Sequence, residues 1–248
     1  MTKQRSIQEY YDTVAQAYDH KHGVVDVGQA YNFDRHYAPF LARTVPQQGR
    51  VLEIGCGTGV YTRWLRDRGL AVHAMDISPA MIVEARKRCP DAAYVAGDCE
   101  DPASVLDAAA IGEGFDAIVG INTFSYYPRK AEALANYAAL LRPGGRLIII
   151  DMNGASPAYA IMAAMDKNEI GAWLGEVRGC TKGALLPMLA DAGLRVEVMT
   201  RFAFIPNGVG KGVVNLLRPF DGLLGALPLT NWLAMRIAFS AIKEAAPR

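Results

Sequence analysis

The chain predicts an α/β fold: a doubly wound sheet of seven strands, parallel except for an antiparallel last strand, with helical cap insertions. Three observations carry that prediction. Short apolar runs alternate with helical stretches along most of the sequence, the pattern of strands linked by crossover helices. Acidic residues recur at or near the ends of successive strands, at Glu53, Asp76, Asp98 and Asp151, where ligands of such sheets bind. The first strand breaks into glycines at alternate positions, Gly55-Cys56-Gly57-Thr58-Gly59, and runs straight into a helix. With 248 residues, 51% of them hydrophobic, the chain can bury the core of one full α/β domain with a modest cap.

The elements follow in order. Ser6 to Asp19 reads as a helix capped by Ser6, with Tyr10, Tyr11, Ala15 and Tyr18 at helical spacing. His20 and His22 follow in a loop; with no third ligand nearby they read as solvated residues rather than a metal pair. Asn32 to Thr44 is a second helix, kinked at Pro39. After the first strand (Val51 to Ile54) and the glycines, a helix from Val60 to Arg68 stops at Gly69. The second strand, Ala71 to Met75, ends at Asp76, and the helix Pro79 to Arg88 has Ser78 as its cap. The third strand, Ala92 to Ala96, leads into Gly97-Asp98-Cys99, and the fourth, Phe115 to Gly120, into the loop Ile121 to Tyr127. A helix from Lys130 to Leu141 ends at Arg142-Pro143-Gly144-Gly145, a sharp turn into the fifth strand, Arg146 to Ile150. Beyond Asp151, Ser156 to Arg178 reads as a helical insertion, Thr181 to Ala192 as a helix, Leu194 to Phe204 as a strand, Val213 to Trp232 as a short helical cap, and Leu233 to Lys243 as the last strand.

Composition narrows the function. A net charge of +1 without a basic block argues against a general nucleic-acid binder. The four cysteines, Cys56, Cys89, Cys99 and Cys180, form no C-x-x-C pair and no cluster with histidine, which predicts reduced thiols in a cytoplasmic setting and no metal site. Polar residues follow Met1-Thr2-Lys3-Gln4-Arg5, so no signal peptide is expected. Arg218, Pro219, Asp221 and Pro228 interrupt the apolar stretch Val213 to Trp232, so no transmembrane helix is expected there.

Glycines at alternate positions let the backbone turn sharply and approach a ligand, while the following helix amides point into the same crevice. The dinucleotide fingerprint G-x-G-x-x-G fails, because counting from Gly55 its last position falls on Val60; this disfavours a nicotinamide dehydrogenase. Glu53 followed by Gly55-Cys56-Gly57-Thr58-Gly59 resembles instead the first motif of class I S-adenosylmethionine (SAM) methyltransferases. Tyr10-Tyr11-Asp12, Ala15 and Tyr18-Asp19 resemble the N-terminal segment that folds over the cofactor in small-molecule members, and Leu140 to Leu147 carries a further signature of the family. The resemblance covers Tyr10 to Asp151.

It implies one Rossmann-like domain spanning residues 1–248, with an N-terminal helical lid (1–48) and substrate-side insertions (152–181 and 205–232). It implies SAM as cofactor, held by Tyr18, Glu53, Gly55, Cys56, Gly57, Asp76, Ile77, Met81, Asp98, Cys99 and Ile121. Asp76 would accept both ribose hydroxyls, and Asp98 the adenine amine while the next backbone N–H donates to the ring. Met81 either stacks on the adenine or packs in the core. In the loop after Gly120, which the family uses to bind the cofactor's ammonium through a backbone carbonyl, Asn122, Ser125 and Tyr126 are the polar candidates.

Members of the family often carry histidine there, and this sequence does not. Candidates for a base or positioning group are Tyr18, His36, Tyr126 and Asp151, while Arg201 either reaches a substrate or faces solvent. The expected activity is methyl transfer to oxygen, nitrogen or carbon of a small hydrophobic or aromatic acceptor. Two alternatives stand beside it: a membrane-interfacial enzyme acting on a lipid or quinone through Val213 to Trp232, and a non-catalytic SAM-binding partner protein.

Overall fold

The computed structural model describes residues 3–21, 27–158, 180–205, 210–226 and 233–244. The apolar runs become the strands β1 (Arg50–Ile54), β2 (Ala71–Asp76), β3 (Ala93–Ala96), β4 (Phe115–Ile121), β5 (Leu141–Met152), β6 (Leu194–Phe202) and β7 (Arg236–Lys243). They form one seven-stranded sheet in the order β3-β2-β1-β4-β5-β7-β6. The first five pair in parallel, and β7 lies antiparallel between β5 and β6, with Met152 opposite Arg236 and Arg146 opposite Ile242. Central strands read as nearly continuous apolar runs because both faces are covered.

Side chains alternate between two apolar layers. Val51, Val119, Ile148 and Ile150 pack with Phe40, Leu41, Leu65 and Ile82, which belong to the helices α4 (Ala38–Thr44), α5 (Val60–Arg66) and α6 (Pro79–Arg88). Leu52, Ile118, Leu147 and Ile149 pack on the other face with Leu134, Tyr137, Leu185 and Leu189, from α8 (Lys130–Leu140) and α9 (Lys182–Asp191). Of the remaining helices, α1 (Lys3–Val14), α2 (Tyr18–Lys21) and α3 (Val27–Asn32) precede the sheet, α7 (Ala108–Ile111) precedes β4, and α10 (Lys211–Ala226) lies between β6 and β7.

Several local expectations are corrected. Ser6 lies inside α1, which starts at Lys3, and a 3-10 turn (Ala15–Ala17) separates α1 from α2. The distortion attributed to Pro39 falls one turn earlier, in a π-helical turn at Phe33–Tyr37, because the ring removes the N–H that Arg35 would accept. Pro143-Gly144-Gly145 is looped out of a strand that already pairs at Leu141, opposite Phe115, before the ladder resumes at Arg146. β6 ends at Phe202 because Ala203 turns into the left-handed region at φ 64°. α10 is one 16-residue helix that passes through Pro219, where the freed carbonyl of Asn215 is on the exposed side. His22, Trp232 and most of Ser156 to Arg178 lie outside the described residues.

α10 is anchored by one buried carboxylate. Asp221 Oδ2 accepts from Tyr31 Oη at 2.9 Å and meets His36 Nε2 at 2.8 Å, while Oδ1 accepts the Phe204 N–H at 2.9 Å. Burial alone would raise the Asp221 carboxyl; His36, the Phe204 amide and Tyr31 together outweigh it and hold the group below the usual range. A depressed carboxyl adds stability above its unfolded value of 3.8 that is lost as pH falls through the folded one. Asp221→Ala is expected to lower stability by about 2–4 kcal/mol at pH 7, with a shrinking penalty below about pH 4, measured by urea unfolding.

Candidate active site

A cavity of about 280 Å³ opens at the carboxyl ends of β1 to β5. Its floor is the glycine loop. Gly55 and Gly57 both sit in the left-handed region, at φ 68° and 52°. At Gly55 a Cβ would stand 2.3 Å from Thr123 Oγ1, so the side chain of the β4 loop excludes any other residue. At Gly57 a Cβ would meet nothing within 4 Å, which leaves the backbone open on that side.

Asp76, at the tip of β2, is buried under this loop. Oδ2 accepts the Gly57 N–H at 2.8 Å and Oδ1 the Ser78 N–H at 2.9 Å. Burial pushes its carboxyl up to about 6, against the downward pull of the Ser78 and Gly57 amides. Beyond β3, Asp98 Oδ1 accepts the Glu100 N–H at 2.9 Å and Oδ2 pairs with Arg129 at 2.7 Å; Glu100 Oε1 accepts the Arg129 N–H at 2.6 Å. Asp98 and Glu100 both line the cavity. After β4, Asn122 adopts φ 56°, and its Oδ1 is buried in the cavity lining without a protein partner among the described residues.

The N-terminal segment closes over this floor. Ile7, Tyr11 and Tyr18 line the cavity. Asp12 Oδ1 accepts from Ser78 Oγ at 2.5 Å, and Ser78 Oγ in turn accepts the Met81 N–H at 3.1 Å, capping α6. Asp19 accepts from Thr58 Oγ1 at 2.6 Å and pairs with Arg88, which also donates to the Thr58 carbonyl at 2.7 Å.

Residues 52–147 match a family model described as a methyltransferase domain. Demethylmenaquinone methyltransferase of Tropheryma whipplei (strain Twist) is 31% identical over 152 residues, which is 59% of this chain and 59% of the relative. Malonyl-(acyl-carrier protein) O-methyltransferase of Serratia marcescens is 34% identical over 179 residues, 70% of this chain and 63% of the relative. The chain therefore spans less than two thirds of the length of either curated relative. The crystal structure of the (4+2)-cyclase SpnF, 17% identical, superposes with a TM-score of 0.68 over 99% of this chain and 98% of that one, a likeness of fold alone. The chain is thus similar to methyltransferases, through a domain match over residues 52–147 and through part of the length of both relatives.

The cavity gathers most residues that the sequence singled out. Tyr18, Gly55, Cys56, Gly57, Asp76, Ile77, Met81, Asp98, Cys99, Ile121 and Tyr126 all line it. Three others are placed elsewhere. Glu53 lies beneath the loop, fully buried, with Oε2 accepting from Thr62 Oγ1 at 2.5 Å. His36 stacks on Phe202 (centroids 5.2 Å apart, 2° between planes) and faces Asp221. Asp151 turns inward: Oδ2 accepts the N–H groups of Thr123 (2.8 Å) and Ser125 (3.1 Å), and Oδ1 that of Met152 (2.7 Å). Neither His36 nor Asp151 borders the cavity, because each spends its polar atoms on holding neighbouring segments.

Sequence reasoning missed Asp12 and Asp19 as anchors, and Gln29, Glu100 and Arg236 as cavity residues. Arg236 had a readable signal. The start of an antiparallel strand lies at the same sheet end as the carboxyl tips of its parallel neighbours.

Burial pushes the Glu53 carboxyl up to about 8, with the Thr62 hydroxyl working against it. The folded state therefore keeps a proton that the unfolded chain releases, and stability from this group falls as pH rises from 4.5 to about 8. Glu53→Gln is expected to flatten the decline in unfolding midpoint across that window, read from urea curves at several pH values.

Proposed function

We propose that this protein transfers a methyl group from SAM to oxygen, nitrogen or carbon of a small, hydrophobic or aromatic acceptor, within one domain closed by an N-terminal lid. The observation that carries the reading is the convergence of the open Gly57 backbone, Asp76, Asp98 and the orphaned Asn122 Oδ1 on one cavity at the strand tips. These groups fit the cofactor chemically: a backbone open beside the loop, carboxylates for ribose hydroxyls and adenine amine, and a carbonyl oxygen for an ammonium.

When bound, SAM supplies an activated sulfonium methyl. The protein's part is to hold and orient. Asp76 keeps an ionised carboxylate above about pH 6 to accept hydroxyl donors. Met81 and Ile77 give an apolar face, and Cys99 a backbone N–H, beside Asp98. Asn122 Oδ1 accepts from the amino-acid end, and Tyr11, Tyr18 and Tyr126 shape an aromatic wall around the acceptor. Burial pushes the Tyr18 phenol up to about 12 and that of Tyr11 well above 10, so both stay protonated and serve as donors and packing surface. Positioning of the acceptor against the methyl is then the main source of rate.

Asp76→Ala is expected to weaken SAM binding by about 1–3 kcal/mol, measured by calorimetry. Wild-type affinity should fall as pH drops through about 6, where the carboxylate takes up its proton. Transfer of label from methyl-labelled SAM across an acceptor panel tests the activity itself; SAM uptake without transfer to any acceptor would support the non-catalytic alternative instead.

A second reading, an interfacial enzyme acting on a lipid or quinone, is favoured by one observation. Val213, Leu216, Phe220 and Leu223 fall on one face of α10 and are 43%, 68%, 55% and 57% exposed. No helix among the described residues is long and apolar enough to cross a membrane, so contact of this kind would be peripheral. On this reading the wild type floats with anionic liposomes and Leu216→Ser/Phe220→Ser stays in the soluble fraction; a wild type that never floats removes it.

A further inference from the structure

The cavity is divided by charge. Asp76, Asp98 and Glu100 stand at or beyond the tips of β2 and β3, whereas Arg236 is the only basic side chain lining the cavity among the described residues. In the sheet order, β1, β4 and β5 separate β2 from β7, which puts Asp76 and Arg236 about 19 Å apart across the strands at ~4.8 Å per strand. Arg236 is also firmly placed. It opens β7, paired with Met152 of β5 on one side and Phe202 of β6 on the other, and its Nε donates to Oη of the fully buried Tyr37 at 2.8 Å.

The glycine loop, Asp76, Asp98 and Asn122 occupy the β1–β4 part of the cavity, so Arg236 lies past them. Building on the methyltransferase reading, we infer that Arg236 marks the acceptor end, and that the acceptor is a small carboxylic acid whose carboxylate Arg236 grips and whose oxygen receives the methyl. A guanidinium fork matches a carboxylate in plane and charge. At the other end Asp98 and Glu100 are paired with Arg129, and the Asp76 carboxylate repels the same group, so the charge pattern favours the acid at the Arg236 end.

The reaction this implies needs no base. A carboxylic acid is ionised at neutral pH, with a pKa of roughly 4. A lone pair on its oxygen forms the new O–C bond as the C–S bond breaks and that pair passes to sulfur. The carboxylate's negative and the sulfonium's positive charge cancel, leaving a methyl ester and S-adenosylhomocysteine with no proton moved. This agrees with the site. The phenols of Tyr11 and Tyr18 are held protonated, and of the three other base candidates His36 and Asp151 are engaged away from the cavity, while Tyr126 lines it.

SAM carries a carboxylate of its own, and the test separates the two. Wild type, Arg236→Gln and Arg236→Lys are compared in three assays: calorimetry with S-adenosylhomocysteine and with 5′-methylthioadenosine, which lacks the amino-acid part; binding of benzoate, cinnamate and octanoate to the S-adenosylhomocysteine complex; and methyl transfer to these acids and to their amides. Wild type is expected to methylate an acid and not its amide. Arg236→Gln should lose about 100-fold in acid binding and kcat/KM, with S-adenosylhomocysteine affinity held within about twofold. Arg236→Lys should recover part of the loss, since it keeps the charge without the fork. Thermal unfolding of each variant identifies a folding defect, and if Arg236→Gln does not fold, Arg236→Lys must by itself show the selective loss on acids.

Methylation of none of the acids by a wild type that binds S-adenosylhomocysteine overturns the inference and leaves the methyltransferase reading in place. An Arg236→Gln variant that weakens S-adenosylhomocysteine but not 5′-methylthioadenosine assigns Arg236 to the cofactor and overturns it as well. A wild type that binds neither nucleoside and transfers no methyl removes the underlying reading, and the inference falls with it.

Discussion

The two hydrogen bonds accepted by the Asp76 carboxylate constrain the rest of the site. One oxygen takes the Gly57 amide and the other the Ser78 amide, so a single buried group joins the loop after β1 to the turn that starts α6. The glycines give the loop its freedom, and that freedom is useful only if something fixes it. A neutral side chain would make weaker bonds to the same amides, whereas a carboxylate makes charge-assisted ones. The cost is visible in the carboxyl itself, which burial lifts to about 6 despite those bonds. Asp76 is thus ionised at neutral pH but poorly solvated, and each oxygen retains capacity for a further donor from the cavity.

The same device recurs along the sheet. Asp151 at the tip of β5 reaches sideways to the amides of Thr123 and Ser125 in the β4 loop. Asp98 takes the Glu100 amide, and Glu100 takes the Arg129 amide at the approach to α8. Each of these acids satisfies backbone donors that loop geometry would otherwise leave unpaired in a buried setting. An acid at a strand end therefore has two possible uses, toward the cavity or toward the neighbouring loop, and only packing decides between them. Asp76 and Asp98 do both, bordering the cavity while bonding backbone; Asp151 does only the second.

This explains what the sequence disclosed and what it withheld. Strand identity and fold class were legible because apolar runs, punctuating glycines and strand-end acids each have a local physical cause. The antiparallel last strand was legible from the stretch that precedes it. Residue positions at the cavity were legible where geometry follows from chain position, as for Gly55, Gly57 and Asp76. They were not where the outcome depends on a partner far away in sequence. His36 looked like a candidate base until Asp221, 185 positions later, engaged it. Glu53 sits in the motif that carries the resemblance, yet its side chain is engaged by Thr62 of α5. Pro219 interrupts the apolar stretch read as a short helical cap, but an exposed carbonyl one turn earlier costs little, and the helix continues.

The N-terminal segment shows how these local solutions combine. Its tyrosines invite attention as ligand contacts, but the segment is held by its two aspartates. Asp12 bonds the residue that caps α6, where the exposed amides of a helix start favour a negative charge. Asp19 bonds Thr58 within the glycine loop and pairs with Arg88 at the far end of α6. Both attachments are to the pieces that Asp76 already ties together, so the segment docks onto a preassembled unit rather than onto separate loops. Ile7, Tyr11 and Tyr18 add apolar and aromatic surface to the cavity lining. Low-dielectric surface beside a charge strengthens its field, both for Asp76 toward donors and cations and for Arg236 toward an anion.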